Sequence, residues 1–192
     1  MKTAKFLSIL ILTIVLGSCQ NPFRPELRDI SSATITNSNP QELLHNLEKA
    51  YQEKNINIYK QLLHKDYRFE LIQSETSSIG VDMDGDGIRD SWWGLDEEIE
   101  LTRNMFERGS SDGTMPVADD IDLRLQIPPQ ENWEIDPADG HEHWIVIPCY
   151  FDLTLTYFSS NSSYVANGVA RFYLVEEAGS WYIRIWRDES LL

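Results

Sequence analysis

Between residues 143 and 187 the chain is rich in β-branched and aromatic side chains, and two turn-forming clusters divide it into three runs. Runs of that composition bounded by turn residues mark strands. Segments 143–158, 164–176 and 181–187 are therefore expected as strands, with Ser159-Ser160-Asn161-Ser162-Ser163 and Glu176-Glu177-Ala178-Gly179-Ser180 as the turns between them. Connections this short join antiparallel neighbours, because a parallel pair needs a crossover of about a dozen residues or more. Ile121, Leu123, Leu125 and Ile127, alternating with Asp122, Arg124 and Gln126, add a further strand. One face of such a sheet must be covered by something apolar.

The first half of the chain supplies the cover. Asn39-Pro40-Gln41-Glu42 combines a capping side chain, a proline at the first helical position and a glutamate at the third. Leu43, Leu44, Leu47, Ala50 and Tyr51 follow at helical spacing, which predicts a helix over 40–54. Ile58, Tyr59, Leu62 and Leu63 predict a second, shorter helix ending near His64, and Tyr67 to Leu71 alternates as a strand. Leu95 to Phe106 predicts a third helix, with acidic residues in its first turns and Gly109 as its cap. The fold class is α+β, with three helices from the N-terminal half packed on a curved antiparallel sheet.

This order of elements resembles the cystatin-like cone of the nuclear transport factor 2-like superfamily, which includes SnoaL-like domains. The resemblance is carried by Glu42 to Tyr51, Asn57 to Leu63, Asp66 to Phe69, the Trp93 to Phe106 segment and the closing run Trp181 to Asp188, over about residues 38 to 190. It implies a cone-shaped cavity between helices and sheet. Enzymes of that superfamily use a cavity carboxylate or histidine as general base, and no single residue of this chain matches that role.

Lys2 and Lys5 precede an apolar run from Phe6 to Leu16 and then Gly17-Ser18-Cys19. That is the layout of a secretory signal, and the run is too short for an ordinary membrane-spanning helix of about 20 residues. Leu16-Gly17-Ser18-Cys19 resembles the lipobox of bacterial lipoproteins, which implies cleavage before Cys19 and acylation of its thiol, with palmitate-type chains anchoring the protein to a membrane. Gln20 resembles the residue that follows the cysteine in lipoproteins sent to the outer membrane. A plain secretory signal cut near Ser18 is the simpler reading of the same segment. The expected organisation is a signal peptide over 1–18, a tether over 19–37 and one domain over 38–192. Cleavage leaves Cys149 as the remaining cysteine; on the face of Ile145, Ile147, Phe151 and Leu153 it reads as inert core.

Charge excludes one class of partner. Sixteen Lys and Arg against 31 Asp and Glu give a net charge of -15, with no basic block, whereas nucleic-acid affinity comes mostly from cationic side chains. Four of the carboxylates sit in Asp82-Met83-Asp84-Gly85-Asp86-Gly87-Ile88-Arg89-Asp90. Asp82, Asp84 and Asp86 take positions 1, 3 and 5 of a calcium loop, Ile88 offers a carbonyl at 7, and Asp90 stands at 9. The stretch resembles dockerin and thrombospondin type 3 loops, which makes calcium (Ca2+) the expected metal. Trp93 replaces the usual bidentate glutamate at position 12, so waters, Asp96 or Glu97 would complete the shell.

His141-Glu142-His143 puts two imidazoles on one face of an expected strand, too few ligands for a metal site and more in keeping with polar residues at a turn. All six tryptophans follow residue 90. Trp92, Phe106, His143, Tyr150, Arg184 and Trp186 are the candidate ligand-binding residues of the cone. Glycine-rich phosphate loops, nucleophile elbows and paired-cysteine motifs are absent from the sequence. The reading that follows is a lipid-anchored envelope protein with a non-enzymatic ligand- or protein-binding domain and a calcium-ordered loop. A SnoaL-like isomerase, cyclase or hydrolase is the alternative.

Overall fold

A computed structural model describes residues 35–110 and 113–190. Residues 1–18, expected as a signal peptide, Cys19 and most of the expected tether lie outside the described residues. Helix α1 spans Pro40–Gln52, α2 Ile56–Leu62, α3 Thr76–Ile79 and α4 Leu95–Arg103. The strands are β1 Leu63–Glu70, β2 Trp92–Gly94, β3 Asp120–Gln126, β4 Glu134–Ile135, β5 Ile145–Tyr157, β6 Ser162–Glu177 and β7 Ser180–Asp188.

Local chemistry starts the helices where the sequence places them. The Asn39 side chain accepts the Glu42 amide at 2.8 Å, while the Glu42 carboxylate reaches back to the Ser38 amide at 2.9 Å. These bonds satisfy amides at the helix start that have no intrahelical partner. At α2, the Asn55 side chain accepts from both Asn57 and Ile58 amides at 3.1 Å. The third expected helix changes pitch instead of running regularly to Phe106: α4 gives way to a π-helical turn, Asn104–Arg108. Gly109 closes it at φ 79°, its amide donating to the Asn104 carbonyl, and a Cβ here would meet the Met115 carbonyl oxygen at 2.5 Å. Only glycine fits both constraints.

The sheet runs in the order β2-β1-β7-β6-β5-β3, with β4 paired to β5. β3, β5, β6 and β7 pair antiparallel as the sequence predicts, Leu123 facing Leu153 and Leu153 facing Ala166. The mixed character comes from β1, which lies parallel to β7. It follows helices and not a hairpin, so the rest of the chain provides the long crossover that a parallel neighbour requires. β7 carries a shift where Ile185 faces Tyr173 but Ile183 faces Leu174, which makes Arg184 the extra residue of a bulge. The bulge inverts the inside–outside alternation along β7.

Helices α1 and α2 lie on the concave face. Leu43, Leu44, Leu47 and Ala50 of α1 and Tyr59 and Leu62 of α2 are 0% exposed, as are Ile147, Cys149, Phe172, Leu174 and Ile183 of the sheet. Burying each large aliphatic or aromatic side chain contributes about 1.5–3 kcal/mol, against roughly 0–1 kcal/mol for an exposed ion pair. This interface therefore dominates stability. Burial, and secondarily the charge of Glu48, push the Cys149 thiol up to about 12, so it stays protonated and unreactive inside the core.

The convex face holds the arginines. Arg171 pairs with Glu134 at 2.8 Å and Glu189 at 2.9 Å, Arg187 with Glu70 at 2.7 Å, and Arg184 with Asp66 at 2.8 Å. The segment before β5 folds over part of this face. There the His141-Glu142-His143 run lies in a turn and not on a strand. His141 bonds Asp136 at 2.6 Å and stacks on Trp144 at 3.7 Å, while His143 is exposed. The strand begins only at Ile145, so the two imidazoles do not share a strand face.

Candidate functional site: an aromatic cavity with a carboxylate wall

A cavity of about 290 Å³ opens between α4 and the concave sheet. Its helical side is made by Tyr51, Leu101, Thr102 and Met105, and its sheet side by Leu123, Phe151, Leu153 and Ala166. Phe69, Trp93 and Trp186 form an aromatic end. Phe69 and Trp93 stack with ring centroids 4.3 Å apart at 9°, and Trp186 lies 5.7 Å from Phe69. The π-helical turn sets the phase that puts Met105 on the cavity and its neighbour Phe106 into the core.

Two carboxylates reach this wall, Glu98 and Asp188. Glu98 is buried, and its Oε1 accepts from the Tyr59 hydroxyl at 2.6 Å and the Thr102 hydroxyl at 3.0 Å. Its Oε2 accepts the Trp93 indole N–H at 2.7 Å. A buried carboxylate is tolerated when donors replace its lost water, and here three do. Burial first, and the charge of Glu98 second, push the hydroxyls of Tyr51, Tyr59 and Tyr67 up, so all three remain protonated. Tyr67 is 3% exposed, and among the described residues its hydroxyl has no hydrogen-bond partner. Asp188 is half-buried; its Oδ1 accepts the Ser190 amide at 2.9 Å, and among the described residues Oδ2 has no partner.

Of the six ligand-binding candidates, Trp186 lines the cavity. Phe106 packs behind it, edge-on to Tyr51 at 5.3 Å and Tyr59 at 6.2 Å. Trp92 faces away from Trp93 on the same short strand and lies under the Arg68 guanidinium at 4.4 Å. Tyr150 is 63% exposed on the convex face, opposite in parity to Cys149 and Phe151. His143 is in the exposed turn before β5, and the β7 bulge turns Arg184 outward to Asp66, His64 and the Trp144 ring. Glu98 and Asp188 are the charged wall residues that sequence reasoning missed. Glu98 follows Leu95 by three positions and precedes Thr102 by four, the spacing of an inward helical stripe. Asp188 follows Trp186 by two, on one strand face.

The Asp82–Asp90 loop is separate from the cavity. Val81 and Asp90 bridge its base, and Gly85 and Gly87 take φ 77° and 85°. Ligand oxygens of Asp82, Asp84 and Asp86 lie within 4.8 Å of one another, exposed. Asp82 accepts the Gly85 and Gly87 amides at 2.8 and 3.0 Å, Asp84 the Asp86 amide, Asp86 the Ile88 amide, and Asp90 the Met83 amide. The Ile88 side chain is exposed, and Arg89 turns away to donate to the Ser78 carbonyl.

The cone, its curled mixed sheet and its covering helices define the nuclear transport factor 2-like fold. No protein-family model matches this sequence, and no curated protein matches it. Solved structures do. A protein of that superfamily from Salmonella enterica serovar Typhimurium superposes with TM-score 0.50 at 11% identity, over 79% of this chain and 87% of its own. A Novosphingobium aromaticivorans protein with the provisional name aromatic ring hydroxylase gives TM-score 0.52 at 14% identity, over 79% and 86%. LinA gives 0.51 at 10% identity, over 79% and 83%. At these identities the similarity is one of fold.

Replacing Glu98 by leucine strands three buried donors, each costing about 1–3 kcal/mol when unsatisfied. Glu98→Leu is expected to lose about 3 kcal/mol or more in urea unfolding, and Glu98→Gln, which keeps one acceptor oxygen, clearly less. Equal small losses for both would show that the network does not hold the site.

Proposed function

We propose that this chain is a lipid-anchored envelope protein whose cone holds a small, mainly apolar ligand without converting it, and whose 82–90 loop is ordered by calcium. The observation that carries the cavity reading is that both oxygens of Glu98 are engaged by donors of the fold. A general acid or base must exchange its proton with the substrate, whereas both oxygens of Glu98 are engaged by Tyr59, Thr102 and Trp93 of the fold itself. The rest of the wall is almost wholly apolar and aromatic, the usual lining of a ligand pocket, and the volume suits a molecule of one to a few rings.

One observation favours a second reading. Asp188 keeps an oxygen free at the wall, and hexachlorocyclohexane dehydrochlorinase is built on the same fold, so an acid/base enzyme would use Asp188 as its base. Mass spectrometry of a ligand that co-purifies with the chain separates the two: unaltered recovery supports holding, and loss on incubation that Asp188→Asn abolishes supports turnover.

The cavity is tested with N-phenyl-1-naphthylamine, a neutral fluorophore. Saturable binding of one molecule per chain is expected, with affinity reduced by about tenfold or more in Ala166→Trp. Ala166 lies at the exposed rim, so that variant fills the mouth without disturbing the core. Absence of saturable binding would remove the ligand-holding reading.

The anchor rests on the Leu16-Gly17-Ser18-Cys19 segment. Cys19→Ser is expected to move the protein from the membrane to the soluble fraction; unchanged membrane association would contradict acylation at Cys19.

Calcium is supported by three carboxylates converging in the loop, with Ile88 at the position whose carbonyl a calcium loop uses. It takes six to eight hard oxygens, so waters, Asp96 or Glu97 would complete the shell, at micromolar to millimolar affinity. Isothermal titration is expected to give heat that the Asp84→Asn/Asp86→Asn double variant lacks; no heat at millimolar calcium would sink the assignment.

A further inference from the structure

The charged groups on the cavity wall are all of one sign. Among the described residues, Glu98 and Asp188 line it, and no lysine, arginine or histidine does. The arginines of β7 are committed elsewhere: Arg184 to Asp66 and His64, and Arg187 to Glu70 and the Tyr173 hydroxyl. Both Glu98 oxygens already accept from donors of the fold, Oε1 from the Tyr59 and Thr102 hydroxyls and Oε2 from the Trp93 indole. Asp188 differs, with Oδ1 on the Ser190 amide and Oδ2 unpartnered. Trp186 stands two residues before it on the same strand, and both line the cavity.

A second carboxyl lies in the field of Asp188. Glu75 is buried, and its carboxyl is raised above the usual range by that burial and by the charge of Asp188. The two carboxylates that line this apolar cavity, Glu98 and Asp188, disfavour an anion entering it, because the anion would be stripped of water and meet no positive partner. The same arrangement favours a cation. A carboxylate supplies a charge-assisted hydrogen bond to an ammonium, and aromatic rings attract cationic centres through their negative faces.

On the ligand-holding reading above, we infer that the cone selects a compact organic cation, an ammonium group on an aromatic or aliphatic body, with Asp188 Oδ2 receiving the ammonium and the Trp93, Phe69 and Trp186 end receiving the body. Glu98 positions Trp93 and does not itself meet the ligand. Specificity against carboxylates and phosphates follows from the wall having no cation to pair with them.

Three molecules of nearly equal size test this at pH 7: 2-phenylethylammonium, 2-phenylethanol and phenylacetate, each titrated by displacement of N-phenyl-1-naphthylamine. The expected order is ammonium tightest, alcohol next and phenylacetate weakest, with about tenfold or more between the first and last. Asp188→Asn keeps the acceptor for the Ser190 amide and the shape of the wall. It is expected to bring the ammonium within about threefold of the alcohol while leaving the alcohol unchanged. If the alcohol displaces the fluorophore but the ammonium is no tighter than phenylacetate, or if Asp188→Asn leaves the ammonium's advantage intact, this inference is overturned and the ligand-holding reading stands. If the fluorophore itself does not bind, both fall.

Discussion

The buried carboxylate of Glu98 is the constraint around which the functional half of this molecule is arranged. Its three donors come from separate elements: Tyr59 from α2, Trp93 from β2 and Thr102 from the next turn of its own helix. An anion taken out of water has to be repaid in hydrogen bonds at fixed distances and angles, so it sets the spacing between the elements that supply them. α4 cannot slide along the sheet edge without releasing at least one donor into an apolar interior. Trp93 is thereby held with its indole N–H toward the helix and its ring stacked on Phe69, which is what gives the cavity a flat aromatic end.

That arrangement also divides labour between two acidic groups. Glu98 is spent on the fold and Asp188 is not, although both reach the same wall. The distinction comes from what each carboxylate touches, and charge counting alone would treat them as equals. The sheet contributes in the same way: α1 and α2 fill most of the concave face with Leu43, Leu44, Leu47 and Leu62, and only the end covered by α4 is left open.

Most of the architecture was legible in the sequence because it rests on periodicity. Strands β3, β5, β6 and β7, the hairpins after Tyr157 and Glu177, and the cap at Asn39 follow from alternation, turn residues and a side-chain acceptor three positions from the amide it meets, whereas the two-residue β4 is too short to show a period. The cavity was legible only in part, since its lining depends on parity that a single irregularity reverses. Arg184 and Trp186 share a face in an unbroken strand, but the bulge between Ile183 and Ile185 separates them. Phe106 and Met105 exchange places through the π-helical turn in the same fashion. Glu98 was concealed by its type: an acidic residue in the first turn of a helix reads as a partner for the helix dipole, and its place on the Leu95–Thr102 stripe was the signal that pointed inward.

The parallel contact between β1 and β7 has a kinetic meaning. β1 is made of residues 63–70 and its inner neighbour of residues 180–188, so the sheet closes only by joining nearly the two ends of the described domain. Contacts so distant in sequence form late and slow folding, because the entropy of ordering the intervening chain is lost before the contact repays it. Without residues 180–188 the chain would keep α1, α2 and the β5–β6 hairpin but have no seam to lock them together, so closure of the sheet waits on its most distant strand.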